Sequence, residues 1–301
     1  MEKVVKVVDE KRGICQVTIA DSRWYGMLET DPSTKLPVYT WVPSVTWVAS
    51  FFPKGIGFMK WLASTGWDEA QAIKEAAGGR GSKVHQAVTA LLDGLTISMS
   101  DVLPNPETQK PEPLSLEEYE AIISFVAWHK QSNPVLVVRD MVVWNKEHGY
   151  AGTADALFLI GRVLWLIDFK TSKAVWPSHR IQVSAYRHTP EVEAVMRNQK
   201  VSEIRLGILQ LGYRLNKMGW KLTEVLDEFY LFLACHRIWE AETRGQSPLR
   251  KDYPMSVALL EQPPKPKAEQ EAHAVATENK GGTDGSGTVG LDSEKQQVAH
   301  P

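Results

Sequence analysis

Residues 152–171 read GTADALFLIGRVLWLIDFKT and contain two strongly apolar runs joined by Gly161-Arg162. β-Branched and aromatic runs around a short connection with glycine predict an antiparallel β-hairpin. A tight turn centred there places Ile160 opposite Val163, and a four-residue loop with the same centre gives the same register. The segment therefore predicts a central hairpin whose pairing is fixed by its turn.

The same register places Asp155 opposite Asp168, with Lys170 two positions further along on the same face. Directly opposed carboxylates lie about 5 Å apart and repel each other, so the pair needs a proton or a cation between its members. Aspartate is also depleted in strands, and Asp168 interrupts an apolar run. With an ammonium group beside it, the pair is typical of a metal-dependent phosphodiester hydrolase. The alternative is that Asp155 closes a turn and the other two residues lie at an exposed strand end.

The composition suits a soluble globular protein with one large core. The chain has 301 residues, of which 43% are hydrophobic and 23% charged. The formal net charge of −2 excludes a global basic field, so local patches must carry any binding of nucleic acid. The sequence lacks a signal-peptide core and any apolar segment of membrane-spanning length. We therefore expect a cytoplasmic protein with no membrane partner.

Three parts are expected along the chain. Residues 1–42 hold short β-like runs and predict a β-rich N-terminal extension. Residues 43–261 form the main domain. Residues 262–301 are dominated by Pro, Gly, Lys, Glu, Gln and Ser, and they predict a disordered tail because they cannot bury enough apolar surface to order.

Helical patterns precede and follow the hairpin. The run Gly78-Gly79-Arg80-Gly81 predicts a break in a helix, after which Ser82 caps a new helix with His85 in its first turn. A single histidine on a partly apolar stripe more often fills a core than ligates a metal.

Two further helices are expected on the C-terminal side of the hairpin. Residues 177–188 predict a helix that begins at a proline, and Gln182 and Tyr186 share one of its faces. Residues 204–213 predict a strand. The apolar spacing within residues 221–243 predicts a long helix.

The chain resembles the RecB-like branch of the PD-(D/E)XK nuclease superfamily, which includes many phage exonucleases and the nucleases of CRISPR adaptation. The resemblance rests on motifs in the family's order, which are Gly81…His85, Gly152-Thr153-Ala154-Asp155, Asp168-Phe169-Lys170-Thr171 and Gln182…Tyr186. It implies an α/β fold with a restriction-endonuclease-like core, in which helices flank a central mixed β-sheet. On this basis residues 43–261 are expected to be the nuclease domain.

The resemblance also implies roles for individual residues. His85, Asp155 and Asp168, with the carbonyl group of Phe169, are expected to ligate a divalent cation. Carboxylate and carbonyl oxygens suit Mg²⁺ or Mn²⁺, and the imidazole favours tolerance of Mn²⁺. Lys170 is expected to orient or help deprotonate the attacking water and to stabilise the charge that develops on phosphorus. Asp155, Asp168 and Lys170 are thus the expected catalytic residues.

Substrate contacts are expected from the helix after the hairpin and from basic residues near the motifs. Gln182 and Tyr186 would brace the site and contact the substrate backbone. The basic residues are Arg80, Lys83, Lys173, Arg180 and Arg187. They predict a local rim for phosphate groups, and Trp176 offers a ring on which a base can stack. The alternative for each of them is a solvated helix face or core packing.

Two departures from the family pattern are visible. Many relatives carry glutamate where this chain has Arg139-Asp140, so Asp140 is a shorter substitute. Some relatives also hold an iron–sulfur cluster on four cysteines. Cys15 and Cys235 are too few to build one, and they indicate no disulfide framework.

The resulting prediction is metal-dependent DNA hydrolysis by an exonuclease that acts on DNA ends or single strands. The expected setting is recombination, repair or phage replication in a bacterial or phage-infected cytosol, with a recombinase or single-strand-binding protein as a further partner. Two alternatives stay open, a structure-specific endonuclease and a non-catalytic module that binds DNA ends.

Overall fold

A computed structural model describes residues 3–19, 22–105, 110–244, 246 and 248. Within these residues the chain is a mixed α/β protein, as predicted. Its strands are β1 (Lys3–Asp9), β2 (Ile14–Ile19), β3 (Ser22–Thr30), β4 (Pro37–Pro43), β5 (Val102–Asn105), β6 (Lys110–Pro113), β7 (Val135–Asn145), β8 (Tyr150–Ile160), β9 (Val163–Lys170), β10 (Ile204–Leu211) and β11 (Trp220–Val225). Its helices are α1 (Val45–Ala49), α2 (Ile56–Thr65), α3 (Trp67–Leu92), α4 (Leu116–Ser132), α5 (Pro177–Arg187), α6 (Pro190–Asn198) and α7 (Phe229–Glu242). The predicted tail, residues 262–301, lies outside the described residues.

The central sheet has five strands in the order β11-β10-β9-β8-β7. β9 and β10 are parallel and every other neighbouring pair is antiparallel, so the sheet is mixed. Parallel neighbours need a crossover connection, and here α5 and α6 supply it. The central mixed sheet that the sequence predicts is therefore confirmed.

The β8–β9 hairpin has the predicted register. Ile160 pairs with Val163, and the ladder continues to Ala156 and Ile167. Gly161 has φ +64°, the left-handed conformation that favours glycine in tight hairpin turns. Because side chains alternate between faces, the hairpin contributes to a core on each side of the sheet. Leu157, Leu164 and Leu166 pack on one side, and Ala156, Phe158, Ile167 and Phe169 on the other.

Residues of the predicted N-terminal β element form a four-stranded antiparallel meander, β1-β2-β3-β4. This sheet packs against the central one. The guanidinium group of Arg12 donates to the carbonyl oxygen of Val142 at 3.0 Å and lies 2.6 Å from Glu191. Ser44, which caps α1 and follows β4, forms a parallel bridge to Ala151 at the start of β8. The meander thus fixes α1 against the hairpin.

The predicted break at residues 78–81 is wrong, because α3 runs without interruption from Trp67 to Leu92. Glycine costs a helix about 1 kcal/mol relative to alanine, but here it permits close packing. A Cβ atom on Gly79 would lie 3.0 Å from Asn105 Oδ1. His85 consequently lies within a long helix rather than in a first turn.

The predicted long helix over residues 221–243 is confirmed from residue 229 onward and wrong before it. Residues 220–225 form β11, which pairs with β10, and α7 begins only at Phe229. Leu222 is paired opposite Leu209 in the sheet, whereas Leu226 is 80% exposed and lies on no buried stripe. The longer helix was predicted because apolar residues recur three or four positions apart from the strand β11 into the start of α7. No described helix is both long and apolar enough to cross a lipid bilayer.

Candidate active site

Asp155 and Asp168 lie one step beyond the paired part of the hairpin. The ladder ends at Ala156 and Ile167, and the Asp155 carboxylate accepts a hydrogen bond from the backbone N–H of Phe169 at 2.7 Å. This bond ties Asp155 to the opposite strand directly beside Asp168. The sequence correctly predicted which residues meet here, but not that one carboxylate would bond to the backbone.

Asp168 is the most deeply buried carboxylate of the site. Its side chain is 1% exposed, and Oδ2 lies 2.5 Å from Nζ of Lys170. Neither carboxylate oxygen has a well-aligned hydrogen-bond partner among the residues that the structure describes. Burial raises the pKa of Asp168, the attraction of Lys170 offsets this only in part, and the charge of Asp155 adds to the increase.

Lys170 faces both carboxylates. Burial pushes the pKa of its ammonium group down, but the charges of Asp168 and Asp155 outweigh burial, so the pKa is raised. The shifts of Lys170 and Asp168 both increase the affinity of the metal-free site for protons. Lys170 therefore lies beside two carboxylates, of which only Asp168 is fully buried.

His85 reaches the same place from α3. Its Nε2 atom lies 3.0 Å from the carbonyl oxygen of Phe169, and its Nδ1 atom lies 3.6 Å from Oδ1 of Asp155. α3 is held there by a buried ion pair between Lys83 and Glu118 of α4, at 2.9 Å. The structure thus brings the imidazole, the Asp155 carboxylate and the Phe169 carbonyl together, although His85 is not in a helix's first turn.

These groups fit a divalent cation by their chemistry. Asp155 and Asp168 supply carboxylate oxygens, Phe169 a carbonyl oxygen and His85 an imidazole nitrogen, a set that suits Mg²⁺ or Mn²⁺. Buried polar atoms without partners are rare in folded proteins. Among the described residues, Oδ1 of Asp168 has no hydrogen-bond partner and Oδ2 contacts only Lys170. In the described part of the chain, no three His, Cys, Asp or Glu side chains already converge as metal ligands. His85, Asp155 and Asp168 would therefore have to close around an ion.

Gln182 and Tyr186 lie on the face of α5 that packs against the site. Gln182 Nε2 donates to the hydroxyl oxygen of Tyr186 at 2.9 Å. A Cβ atom on Gly152 would lie 2.6 Å from Cε1 of Tyr186, so only glycine admits the ring at this distance. Burial, followed by the charges of Asp168 and Asp155, raises the pKa of Tyr186. Gly152 of β8 therefore leaves the space that the ring of Tyr186 on α5 occupies.

An open cavity of about 200 Å³ lies between α1 and α5, with Lys170 and Gln182 in its wall. The other lining residues are Thr46, Ala49, Ser50, Lys54, Ser178 and His179. Apart from Lys170 and Gln182, the sequence analysis assigned none of these residues to the site. The signal for His179 was nevertheless present, because it precedes Gln182 and Tyr186 by three and seven residues, one stripe of a helix.

His179 is a neutral donor at physiological pH. Burial, followed by the charge of Lys170, lowers its pKa to about 4. Its Nδ1 atom accepts the backbone N–H of Trp176 at 3.3 Å, so the neutral ring carries its proton on Nε2. His179 therefore adds a hydrogen-bond donor to the cavity without adding charge.

Four of the five basic residues predicted to bind phosphate have acidic partners. Lys83 is buried against Glu118, and Arg187 lies 3.7 Å from Glu193. Arg80 pairs with Glu117 at 2.9 Å, and Arg180 pairs with Glu228 at 2.8 Å. These pairs hold α3 against α4 and α5 against the start of α7. Lys173 is exposed in the connection between β9 and α5. The expected basic rim is thus partly neutralised by neighbouring carboxylates.

Asp140 lies next to the site, but its carboxylate contacts Arg139 and Thr89 rather than Asp155 or Asp168. It lies between the paired residues Arg139 and Met141 of β7 and has φ +46°. Its Oδ2 atom lies 2.9 Å from Arg139 and accepts a hydrogen bond from Thr89 at 3.1 Å. Because Thr89 follows His85 by four residues, the Asp140 carboxylate lies about one helical turn from the imidazole along α3.

Cys15 and Cys235 are both buried. A comparison of the sequence with models of protein families gives no match. A comparison with curated proteins gives no match either.

Proposed function

We propose that this chain is a divalent-metal-dependent deoxyribonuclease built on a restriction-endonuclease-like core. The observation that supports the proposal most strongly is the carboxylate of Asp168. It is buried, lies beside a second carboxylate, and contacts only one cation, Lys170, in the described structure. Protein interiors rarely keep such a group unless a ligand or a reaction uses it.

The mixed sheet supports the proposed core. The hairpin that carries Asp155 and Asp168 is central in the sheet, and helices pack on both of its faces. α3 brings His85 to the strand ends where these carboxylates lie. This arrangement agrees with the RecB-like resemblance of the sequence. His85, Asp155, Asp168 and the Phe169 carbonyl are the residues that would hold the ion.

Hydrolysis adds water across a phosphorus–oxygen bond and gives a phosphate monoester and a free hydroxyl group. When bound, a divalent cation polarises the scissile phosphate and lowers the pKa of a coordinated water. Lys170, in the cavity wall, would stabilise the negative charge that develops on the phosphoryl oxygens. Gln182 and His179 add neutral hydrogen-bond donors that can orient the phosphate.

The shape of the site favours an end or a single strand as the substrate. The cavity is small, and its walls come from α1 and α5 on opposite sides, which suits one strand better than an intact duplex. We therefore propose exonuclease activity in recombination, repair or phage replication. The alternative activities are a structure-specific endonuclease and a module that binds DNA ends without cleaving them.

The first experiment compares DNA substrates. Linear DNA with free ends, the same DNA with blocked ends, and circular single-stranded and duplex DNA are incubated with Mg²⁺, Mn²⁺ or EDTA. We expect metal-dependent loss of the free-ended molecules only. Cleavage of circular DNA would establish endonuclease activity instead, and binding without cleavage in either metal would overturn the nuclease assignment.

A second experiment tests the ion site through His85. Cleavage is titrated with Mn²⁺ for the parent, for His85→Ala and for a control, Asp31→Asn, whose carboxylate accepts bonds only within its own surface turn. We expect His85→Ala to fold normally and to need about 10- to 100-fold more Mn²⁺, the scale of changes around metal ligands. Equal half-saturating concentrations in all three proteins would remove His85 from the site.

A further inference from the structure

α2 exposes apolar side chains that the described fold does not cover. None of its residues is buried, whereas a helix of a globular protein normally buries an apolar stripe. Ile56 is 73% exposed and Met59 is 53% exposed, and the rings of Phe58 and Trp61 are 41% and 39% exposed. This amount of apolar surface on one short helix points to a ligand or a partner.

The surface is continuous with the cavity. Lys54 lines the cavity together with Lys170, and α2 begins two residues after Lys54. Four residues of chain span at most about 14 Å, so Phe58 lies within that distance of the cavity wall along the backbone. The exposed surface is therefore adjacent to the candidate active site.

The rings are arranged in a short series. Phe58 and Trp61 are one helical turn apart, with ring centroids separated by 5.6 Å and planes inclined at 44°. Trp67, two residues beyond α2, is 66% exposed at the start of α3. Trp176, which precedes the cavity residue Ser178 by two positions, is 55% exposed. Exposed aromatic rings thus adjoin the cavity along the chain through both α2 and α5.

The charge of this segment favours a polyanion over an apolar protein partner. Residues 51–67 contain the exposed residues Lys54 and Lys60 and no aspartate or glutamate, and Asp68 and Glu69 follow only in the first turn of α3. Exposed rings interleaved with basic residues are the features with which proteins bind single-stranded nucleic acid, because each unpaired base offers a face for stacking. Bases inside a duplex are stacked on each other and offer no such face.

We propose that Phe58, Trp61 and Trp67, with Lys54 and Lys60, form a stacking surface that binds one DNA strand and leads it to the cavity. The proposal rests on the proposed nuclease function and names its substrate as single-stranded DNA. It also explains why a helix next to the site keeps its apolar residues exposed.

Binding is measured in EDTA, so that cleavage plays no part. The probes are a fluorescent oligothymidylate and a blunt hairpin duplex of equal charge. The proteins are the parent, Phe58→Ala/Trp61→Ala and Trp61→Phe, with Tyr39→Ala as the control. Tyr39 is an exposed ring on the N-terminal sheet, so its removal tests the loss of an exposed aromatic residue outside the proposed stacking surface.

We expect the double variant to bind oligothymidylate about 5- to 150-fold more weakly, the range for losing one stacked base. Duplex binding should change little, Trp61→Phe should keep most of the affinity, and the control should match the parent. Unchanged melting temperatures would show that all variants fold, as expected for exposed positions.

Equal affinity of the parent and the double variant for oligothymidylate would overturn the stacking surface. So would sedimentation showing that the parent is a dimer that the double variant dissociates, with DNA binding unaltered, because the rings would then bind a second copy of the chain. A parent that binds strands through these rings but cleaves no DNA in Mg²⁺ or Mn²⁺ would overturn only the nuclease function. The two proposals are thus tested separately.

Discussion

Two lysine–carboxylate pairs in the described structure have a buried carboxylate, and they differ in how completely their groups are bonded. Lys83 Nζ lies 2.9 Å from Glu118 and 3.6 Å from Glu112, and it donates to the carbonyl oxygen of Pro113 at 3.3 Å. Glu118 also accepts the backbone N–H of Ser115 at 2.7 Å. Each member of this pair therefore has several partners.

The pair of Lys170 and Asp168 lacks such support. The two groups lie 2.5 Å apart, but the Asp168 oxygens have no aligned hydrogen bond in the part of the chain that is described, and Asp155 adds a second negative charge. A buried pair with full hydrogen bonding fixes the packing of helices, whereas an incompletely bonded pair is poised to accept a further positive group. The difference separates a structural ion pair from a candidate site.

The largest expected effect is on catalysis, from Asp168→Asn. We expect cleavage to fall by more than the roughly 10- to 100-fold typical of residues that only support a metal ligand. Without metal, the melting temperature should stay equal or rise. Asp168 has a raised pKa, so its contribution to stability is present below the unfolded pKa and is lost as pH rises through the folded pKa. Initial rates with metal measure the effect on cleavage, and thermal melts in EDTA at pH 7 measure the effect on stability. Near-normal cleavage would show that the site is wrongly assigned.

Glu118→Gln should give the opposite pattern. Removing one partner of a buried ion pair costs about 3–5 kcal/mol of unfolding free energy, and we expect the lower value because Glu112 stays near Lys83. Cleavage per folded molecule should remain close to that of the parent. Urea unfolding, with rates normalised to the folded fraction, tests this. A stable but inactive variant would assign the Glu118 pair to catalysis.

Lys170→Ala should slow cleavage more than it weakens binding. As a group that stabilises charge in the transition state, Lys170 should contribute about 100-fold or more to the maximal rate. DNA affinity should change little, because an interaction confined to the transition state does not contribute to ground-state binding. Single-turnover rates and equilibrium binding separate the two. Weak binding with a normal maximal rate would make Lys170 a phosphate clamp.

The expected effect of His179→Gln is confined to the pH dependence of stability. The pKa of His179 in the folded protein is lowered to about 4, below the value of about 6.5 for an unperturbed imidazole. The unfolded chain therefore binds a proton first, so this contribution to stability is complete near pH 7 and is lost as pH falls towards 4. Relative to the variant, the parent should lose up to about 3 kcal/mol over this range. If the parent and the variant lose stability equally as pH falls, the pKa of His179 is not lowered in the folded protein.

The register of the hairpin was predictable because it depends on short-range features. Gly161 fixes the turn, and the alternation of apolar residues fixes which side chains share a face. The two helical errors arose where local preference was overruled. The glycines of α3 are tolerated because Asn105 packs closely on Gly79, and residues 220–225 become a strand because β10 offers an edge with which to pair.

The site was predictable only in its carboxylates, its lysine and the motif residues around them. His179 was predictable from its helical spacing to Gln182 and Tyr186. Lys54 enters the cavity wall because α1 packs on α5, and no spacing in the sequence predicts that contact. The partners of Arg80 and Arg180 were likewise hidden. Glu117 and Glu228 lie 37 and 48 residues further along the chain, and folding brings them close.

The sequence by itself determined the hairpin, its alternating faces and the meeting of Asp155, Asp168 and Lys170, because backbone geometry imposes these relations over a few residues. The tertiary structure alone decided how those groups are bonded. Burial in the central sheet removed water from Asp168, α3 carried His85 to the Phe169 carbonyl, and α2 kept its rings exposed. Solvation and long-range packing decide such properties, and both depend on which distant segments cover a residue.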